Sequence, residues 1–156
     1  CIAGLESRHQ VGRRSPIGTA HALVEGPSSK AILAFVEPDD YERLLAGLDA
    51  PARRGVESQV EVVRRTGYLS TDGDRTHGVG AVSVPVFESD GVYGSLTVSG
   101  PASRFDARRR EQAAGLILLE AQRFSRTLGA PATRFEGWLE LVGKDTENRG
   151  LPVHEE

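Results

Sequence analysis

Hydroxyl side chains recur at every second position along residues 78–101, GVGAVSVPVFESDGVYGSLTVSGP: Ser83 on one stretch, then Ser95, Thr97 and Ser99 on the next. The stretch reads as two strands joined by a turn at Ser89-Asp90-Gly91. Strand side chains alternate faces, so Ala81, Ser83 and Pro85 share one face with Ser95, Thr97 and Ser99, while Val82, Val84, Val86, Leu96 and Val98 share the other. The valine face is a core wall. The other face is small and rich in donors and acceptors, which suits the floor of a pocket for a small polar molecule. It equally suits a plain solvent face, the commoner place for Ser and Thr in strands.

Other residue types offer weaker chemistry. Cys1 is the single cysteine, and a free N-terminal Cys can act as a nucleophile with its own amine as base. That reading predicts an amide hydrolase matured by cleavage; a chain cut from a longer one explains Cys1 without special chemistry. The sequence contains no Met, so it is expected to continue a longer chain rather than begin one. His9, His21, His77 and His154 show no metal-ligand spacing, and no cysteine lies beside them. His21 and His77 stand close to the loops discussed below. No Ser-His-Asp order with a nucleophile elbow is present, and Gly78-Val79-Gly80 leads into a strand, the wrong context for a phosphate loop. No catalytic residue, metal or cofactor is therefore expected.

Composition bounds the class. The 156 residues are 38% hydrophobic and 26% charged, enough for one domain with a proper core. The net charge of −3 disfavours nucleic acid as a direct partner, and Arg13-Arg14, Arg53-Arg54, Arg64-Arg65 and the 108–110 triplet alternate with acidic residues rather than forming a basic field. No apolar run approaches membrane-spanning length and no signal peptide is visible, so the cytoplasm is the expected compartment.

The positioning elements follow from pattern. Residues 2–5 read as a first strand and 9–17 as a second. Gly26-Pro27 marks a loop, after which Ser28 caps a helix through Lys30–Phe35. Pro38 with Asp39 and Asp40 opens a second helix, since Pro suits the first helical position and acidic groups favour the positive end of the dipole. Residues 51–65 form a third, with Val56, Val60 and Val63 at helical spacing and Gly67 as its stop. Tyr68 and Leu69 begin a strand, and residues 71–77 read as a polar loop. Residues 103–128 make the strongest helix, with Ser103 and Asp106 as a capping-box-like start and Gly129 and Pro131 as its end. Beyond it, Phe135, Trp138, Leu139 and Val142 trace a short amphipathic turn. Hairpin-linked strands with helices clustered apart give an α+β fold around an antiparallel sheet.

The run Arg65-Thr66-Gly67-Tyr68, Asp72-Gly73-Asp74, Gly78-Val79, Val84-Pro85-Val86-Phe87 and Thr97-Val98-Ser99-Gly100-Pro101 with Arg104 resembles the C-terminal effector-binding domain of IclR-type bacterial transcription regulators. Upstream, Ile17-Gly18 and Lys30-Ala31-Ile32-Leu33-Ala34 fit the same family at matching spacing. The resemblance covers about residues 1–129; residues 130–156 are then a C-terminal tail, partly helical or disordered. It implies a GAF-like curved antiparallel sheet with helices packed on one face and a ligand cavity on the other. It further implies a small-molecule effector, a carboxylic acid or an aromatic compound, and a homodimer or tetramer. DNA is reached only through an N-terminal winged helix-turn-helix absent from this chain. Carried over position by position, the resemblance places ligand contacts at Leu23, Gly26, Pro27, Ser28 and Ser29, at Thr71, Asp72, Asp74 and Ala81, and at Thr97 and Ser99; Ser83 joins them from the hydroxyl pattern. Ser29 stands where the family carries a glycine, and Thr71 and Ala81 stand where some members carry an acid and a cysteine. The alternatives to an effector sensor are the Cys1 hydrolase and a ligand-free dimerisation or interaction domain.

Overall fold

The computed structural model describes residues 1–5 and 16–148, the side chains of 144–148 excepted. Three strands form one antiparallel sheet in the order β1 (Leu69–Asp72), β2 (Val79–Phe87), β3 (Val92–Pro101). Three helices precede it, α1 (Gly26–Leu33), α2 (Pro38–Leu45) and α3 (Ala50–Thr66). Helix α4 (Ala107–Thr127) follows it, then a 3-10 turn (Ala132–Phe135) and α5 (Glu136–Asn148). This is the α+β class with an antiparallel sheet read from the sequence.

The central strand is buried from Gly80 to Phe87, so both of its faces must be covered. Val82, Val84 and Val86 pack on Ala114, Ile117, Leu118 and Ala121 of α4. On the opposite face, Leu69 is the cross-strand partner of Ser83, and it packs with Leu33 of α1 and with Val56, Val60 and Val63 of α3. Helix α1 therefore lies over the small side chains of the hydroxyl face, and α3 backs it.

Several boundaries differ from the sequence reading, each for a physical reason. Residues 2–5 are not a strand: Ile2 and Leu5 are exposed, and among the described residues the backbone ladder here is the short one from Cys1 to Gly18 and Thr19. Of the expected strand at 9–17, residues 9–15 lie outside the described residues and Ile17 sits in a turn. Ser28 is inside α1 rather than its cap, because Pro27 starts the helix at once and Glu25 holds the capping position. Ser103 likewise precedes α4 by a full turn. Asp106 alone caps it, its carboxylate accepting the Arg109 N–H at 2.9 Å. The strand reaches Asp72, beyond the expected loop boundary at Thr71.

The C-terminal segment is part of the core. Phe135 is fully buried, and its ring meets Phe87 at 5.7 Å and Trp138 at 5.7 Å. Trp138 also contacts Phe35 at 5.7 Å and donates its indole N–H to the Arg64 carbonyl at 3.1 Å. Its ring lies on Gly67, where a Cβ would come within 2.5 Å of it, and Gly67 also has φ of +79°.

Two requirements thus coincide at Gly67. Gly73 has the first alone: φ is +74°, and a Cβ there would stay 3.8 Å from its nearest neighbour. Gly73→Ala should cost about 1–2 kcal/mol for the left-handed backbone. Gly67→Ala should cost that plus about 1–3 kcal/mol for displacing Trp138. Urea unfolding of both variants measures the difference; equal losses would mean that the indole does not press on Gly67.

Candidate functional site

Strand register assembles the hydroxyl face in rows. Thr71, Ala81 and Ser99 face one another across the three strands, Leu69, Ser83 and Thr97 form the next row, and Pro85 and Ser95 the third. Exposure changes along each row. Thr71 and Ala81 are buried and Ser83 is inaccessible, whereas Thr97 and Ser99 on β3 are exposed. The Ser83 and Thr97 hydroxyls are bonded to each other at 2.8 Å, which satisfies the buried one and leaves the outer one a further site for a ligand.

The first group of expected contacts lies at the start of α1. Gly26, Pro27 and Ser29 are buried there, and Leu23 and Ser28 are half-buried. Helix α1 packs on β2 and β3, and Gly26 at its start lies against Arg75, three residues past the Asp72 end of β1, so its start lies toward the Thr71–Ala81–Ser99 row. Gly26 has φ of +75°, and the Arg75 side chain lies against it, close enough to meet an added Cβ at 3.4 Å. The second group divides. Thr71 points to the hydroxyl face, but Asp72, one residue on, points to the opposite face with Ser70. There it stands 3.6 Å from the Arg110 guanidinium. Strand alternation dictates this; Asp72 was placed on the ligand side by the family resemblance, carried over position by position, and not by strand period.

Asp74 is engaged from two helices. Both of its carboxylate oxygens accept from the Lys30 ammonium, at 2.9 and 3.0 Å, and one also accepts from Gln59 at 3.2 Å. The Lys30 and Asp74 side chains are only 7% and 16% exposed, so this pair is largely desolvated. It joins the 73–78 loop to α1 and α3, bringing together the two segments that the sequence reading placed around a ligand. His21 and His77 are both exposed. Among the described residues no cluster of His, Cys, Asp and Glu could hold a metal. Cys1 is exposed, with its amine on the Thr19 carbonyl at 2.9 Å.

The family model described as bacterial transcriptional regulator IclR C-terminal matches residues 1–126. The chain belongs to the IclR family. It is 24% identical over 139 residues to the HTH-type transcriptional regulator KdgR of Escherichia coli, covering 82% of this chain and 52% of that protein. With the HTH-type transcriptional regulator BhcR of Paracoccus denitrificans the identity is 30% over 135 residues, covering 80% and 48%. The chain thus spans about half the length of these relatives. Among solved structures, the IclR of Thermotoga maritima superposes with a TM-score of 0.71 at 25% identity, over 80% of this chain and 54% of that one. The C-terminal domain of a Vibrio cholerae transcriptional regulator gives 0.67 at 30%, over 79% and 75%. Nothing among these relatives supports a hydrolase built on Cys1, and no described helix is long and apolar enough to cross a membrane.

Lys30, Gln59 and Arg110 are the charged and polar residues of this region that sequence reasoning did not single out. A signal for Lys30 existed: it is one of only two lysines among 19 basic residues, placed on the apolar segment of a helix. Arg110 was hidden in the 108–110 triplet, read as a solvated face. Only the turn of α4 separates it from Arg108 and Arg109, burying it against Ser70 at 3.0 Å and the Phe105 carbonyl at 2.7 Å.

Breaking one side of the Lys30–Asp74 pair should therefore cost more than removing it. Lys30→Met and Asp74→Leu should each destabilise by about 3 kcal/mol, and the double variant by much less than the sum. Equilibrium unfolding of the four proteins closes the cycle; additive losses would show that the pair is effectively solvated.

Proposed function

We propose that this chain is the effector-binding domain of an IclR-family transcription regulator, and that the effector contacts Thr97 and Ser99. The observation supporting this most strongly is the change in exposure along the hydroxyl rows. A polar face that is inaccessible at Ser83 opens at β3, beside the start of α1. A small carboxylic acid or aromatic acid fits this chemistry. The Thr97 and Ser99 hydroxyls would accept or donate at one end of the ligand, and the Thr71–Ala81 row and the Leu23–Ser29 segment would enclose the rest. The assembly is a cytoplasmic homodimer or tetramer, with DNA held by an N-terminal winged helix-turn-helix in the full-length regulator. Ligand-dependent packing of these domains would alter the spacing of the DNA-binding heads, with coupling of about 1–3 kcal/mol.

The interaction-domain reading has an observation of its own. Leu96, Val98, Leu116 and Phe124 are exposed on the other side of the sheet and on α4. An apolar flank there is compatible with self-association and does not compete with the hydroxyl face for residues.

A thermal-shift screen of small carboxylates, sugar acids and aromatic acids tests the proposal, and a binder well above its dissociation constant should add a few kcal/mol of stability. Ser99→Ala should then weaken binding about 10-fold or more with the fold intact, the scale of one lost hydrogen bond to a charged group. Thr97→Val alone also strands the buried Ser83 hydroxyl, so the clean comparison is the Ser83→Ala/Thr97→Val pair. Normal affinity in both proteins would move the site elsewhere.

A further inference from the structure

Helix α5 and the 3-10 turn before it lie beyond residues 1–126, the part matched by the family model. They nonetheless press on the fold at a mechanically specific place. Trp138 rests on Gly67 and holds the Arg64 carbonyl, so α5 grips the corner between α3 and β1. Thr66 stiffens the same corner, its hydroxyl lying 2.8 Å from the Val62 carbonyl and 3.0 Å from that of Tyr68. Val142 of α5 adds a second hold, against Gly115 of α4.

Strand β1 starts two residues after Gly67 and has only four residues, roughly 13 Å at the usual rise. In the described sheet it pairs with β2 alone. Its far end passes through Gly73, in the left-handed conformation, directly into Asp74 and the pair with Lys30. Between the two ends, Thr71 points to the hydroxyl face and Ser70 meets Arg110 of α4. One short strand is thus clamped by α5 at its start and by α1 and α3 just past its end.

We propose that α5 is a built-in regulator of the candidate site: docking of Trp138 on Gly67 and closure of the Asp74–Lys30 latch form one cooperative event carried by β1. The physical reason is length. A strand this short has few ladder hydrogen bonds of its own, so beyond Leu69 in the core and Ser70 on Arg110 its position depends on its two clamps, and releasing either lets the strand shift as a unit and loosens the other. The coupling requires no ligand, and it reaches beyond effector binding to the C-terminal helix as an element through which the site is set.

Amide hydrogen exchange on the full chain tests this. Lys30→Met/Asp74→Leu removes the latch without leaving an unpaired buried charge, and Gln59→Ala is a milder second variant that withdraws one latch bond. Each should speed exchange of the amides at 138–143, fivefold or more for the double variant, relative to Val82 and Val84 in the central strand. Linkage is reciprocal, so Trp138→Leu should speed exchange at 73–78 by a similar factor. Leu45→Ala, which lowers stability from α2, an element that carries neither clamp, sets the baseline for general destabilisation. Exchange changes in both directions above that baseline support the proposal. Changes in one direction only, or none above the baseline, overturn it.

Discussion

The domain is organised by the complete burial of β2. A strand covered on both faces has to reconcile two packing partners along one run of residues, and this sequence does so with side-chain size. Val82, Val84 and Val86 supply bulk toward α4, where a long helix needs a broad apolar wall. Ala81 and Ser83 supply little volume on the other side, where α1 lies. The Ser83 hydroxyl can be buried there only because Thr97 is directly opposite to bond it. The same register that satisfies Ser83 places Thr97 and Ser99 on β3, where both are exposed. The polar face is therefore a consequence of how the core was closed.

Charge completes the arrangement. Lys30 and Asp74 close the loop over α1, and Arg110 ties β1 to α4 through Ser70 and the Phe105 carbonyl. Both cations are buried, and both bind strand-loop elements on either side of Thr71. Gly80 is small for the same reason, since a Cβ would come within 2.6 Å of the Arg110 guanidinium. These largely desolvated ion contacts at loop ends hold their elements by geometry rather than by apolar burial.

Much of this was legible in the sequence because period-two and period-3.6 patterns report burial directly. The valine and hydroxyl faces, the α3 stripe of Val56, Val60 and Val63, and the Gly67 stop all follow from local rules, and the order of short segments pointed to the IclR family. What was not legible has a common cause: long-range contact. Nothing local says that Lys30 will meet a residue 44 positions away, or that Arg110 alone of three consecutive arginines turns inward. Nor does the short amphipathic turn of Phe135, Trp138, Leu139 and Val142 say what those side chains pack on. Their partners, Phe35, Phe87 and Gly67, lie far back in the chain. Asp72 follows Thr71 by a single residue, which in a strand is enough to put it on the opposite face.

The central claim is that an effector lies over the outer margin of the hydroxyl face. The most direct measurement is backbone and methyl NMR shift mapping of the domain with the tightest compound from the screen. The account predicts the largest changes at Thr71, Ala81, Ser83, Thr97 and Ser99, with Leu116, Leu119 and Arg123 on the outer surface of α4 little affected. Changes centred on Leu96, Val98 and that α4 surface, with the hydroxyl face silent, would contradict it.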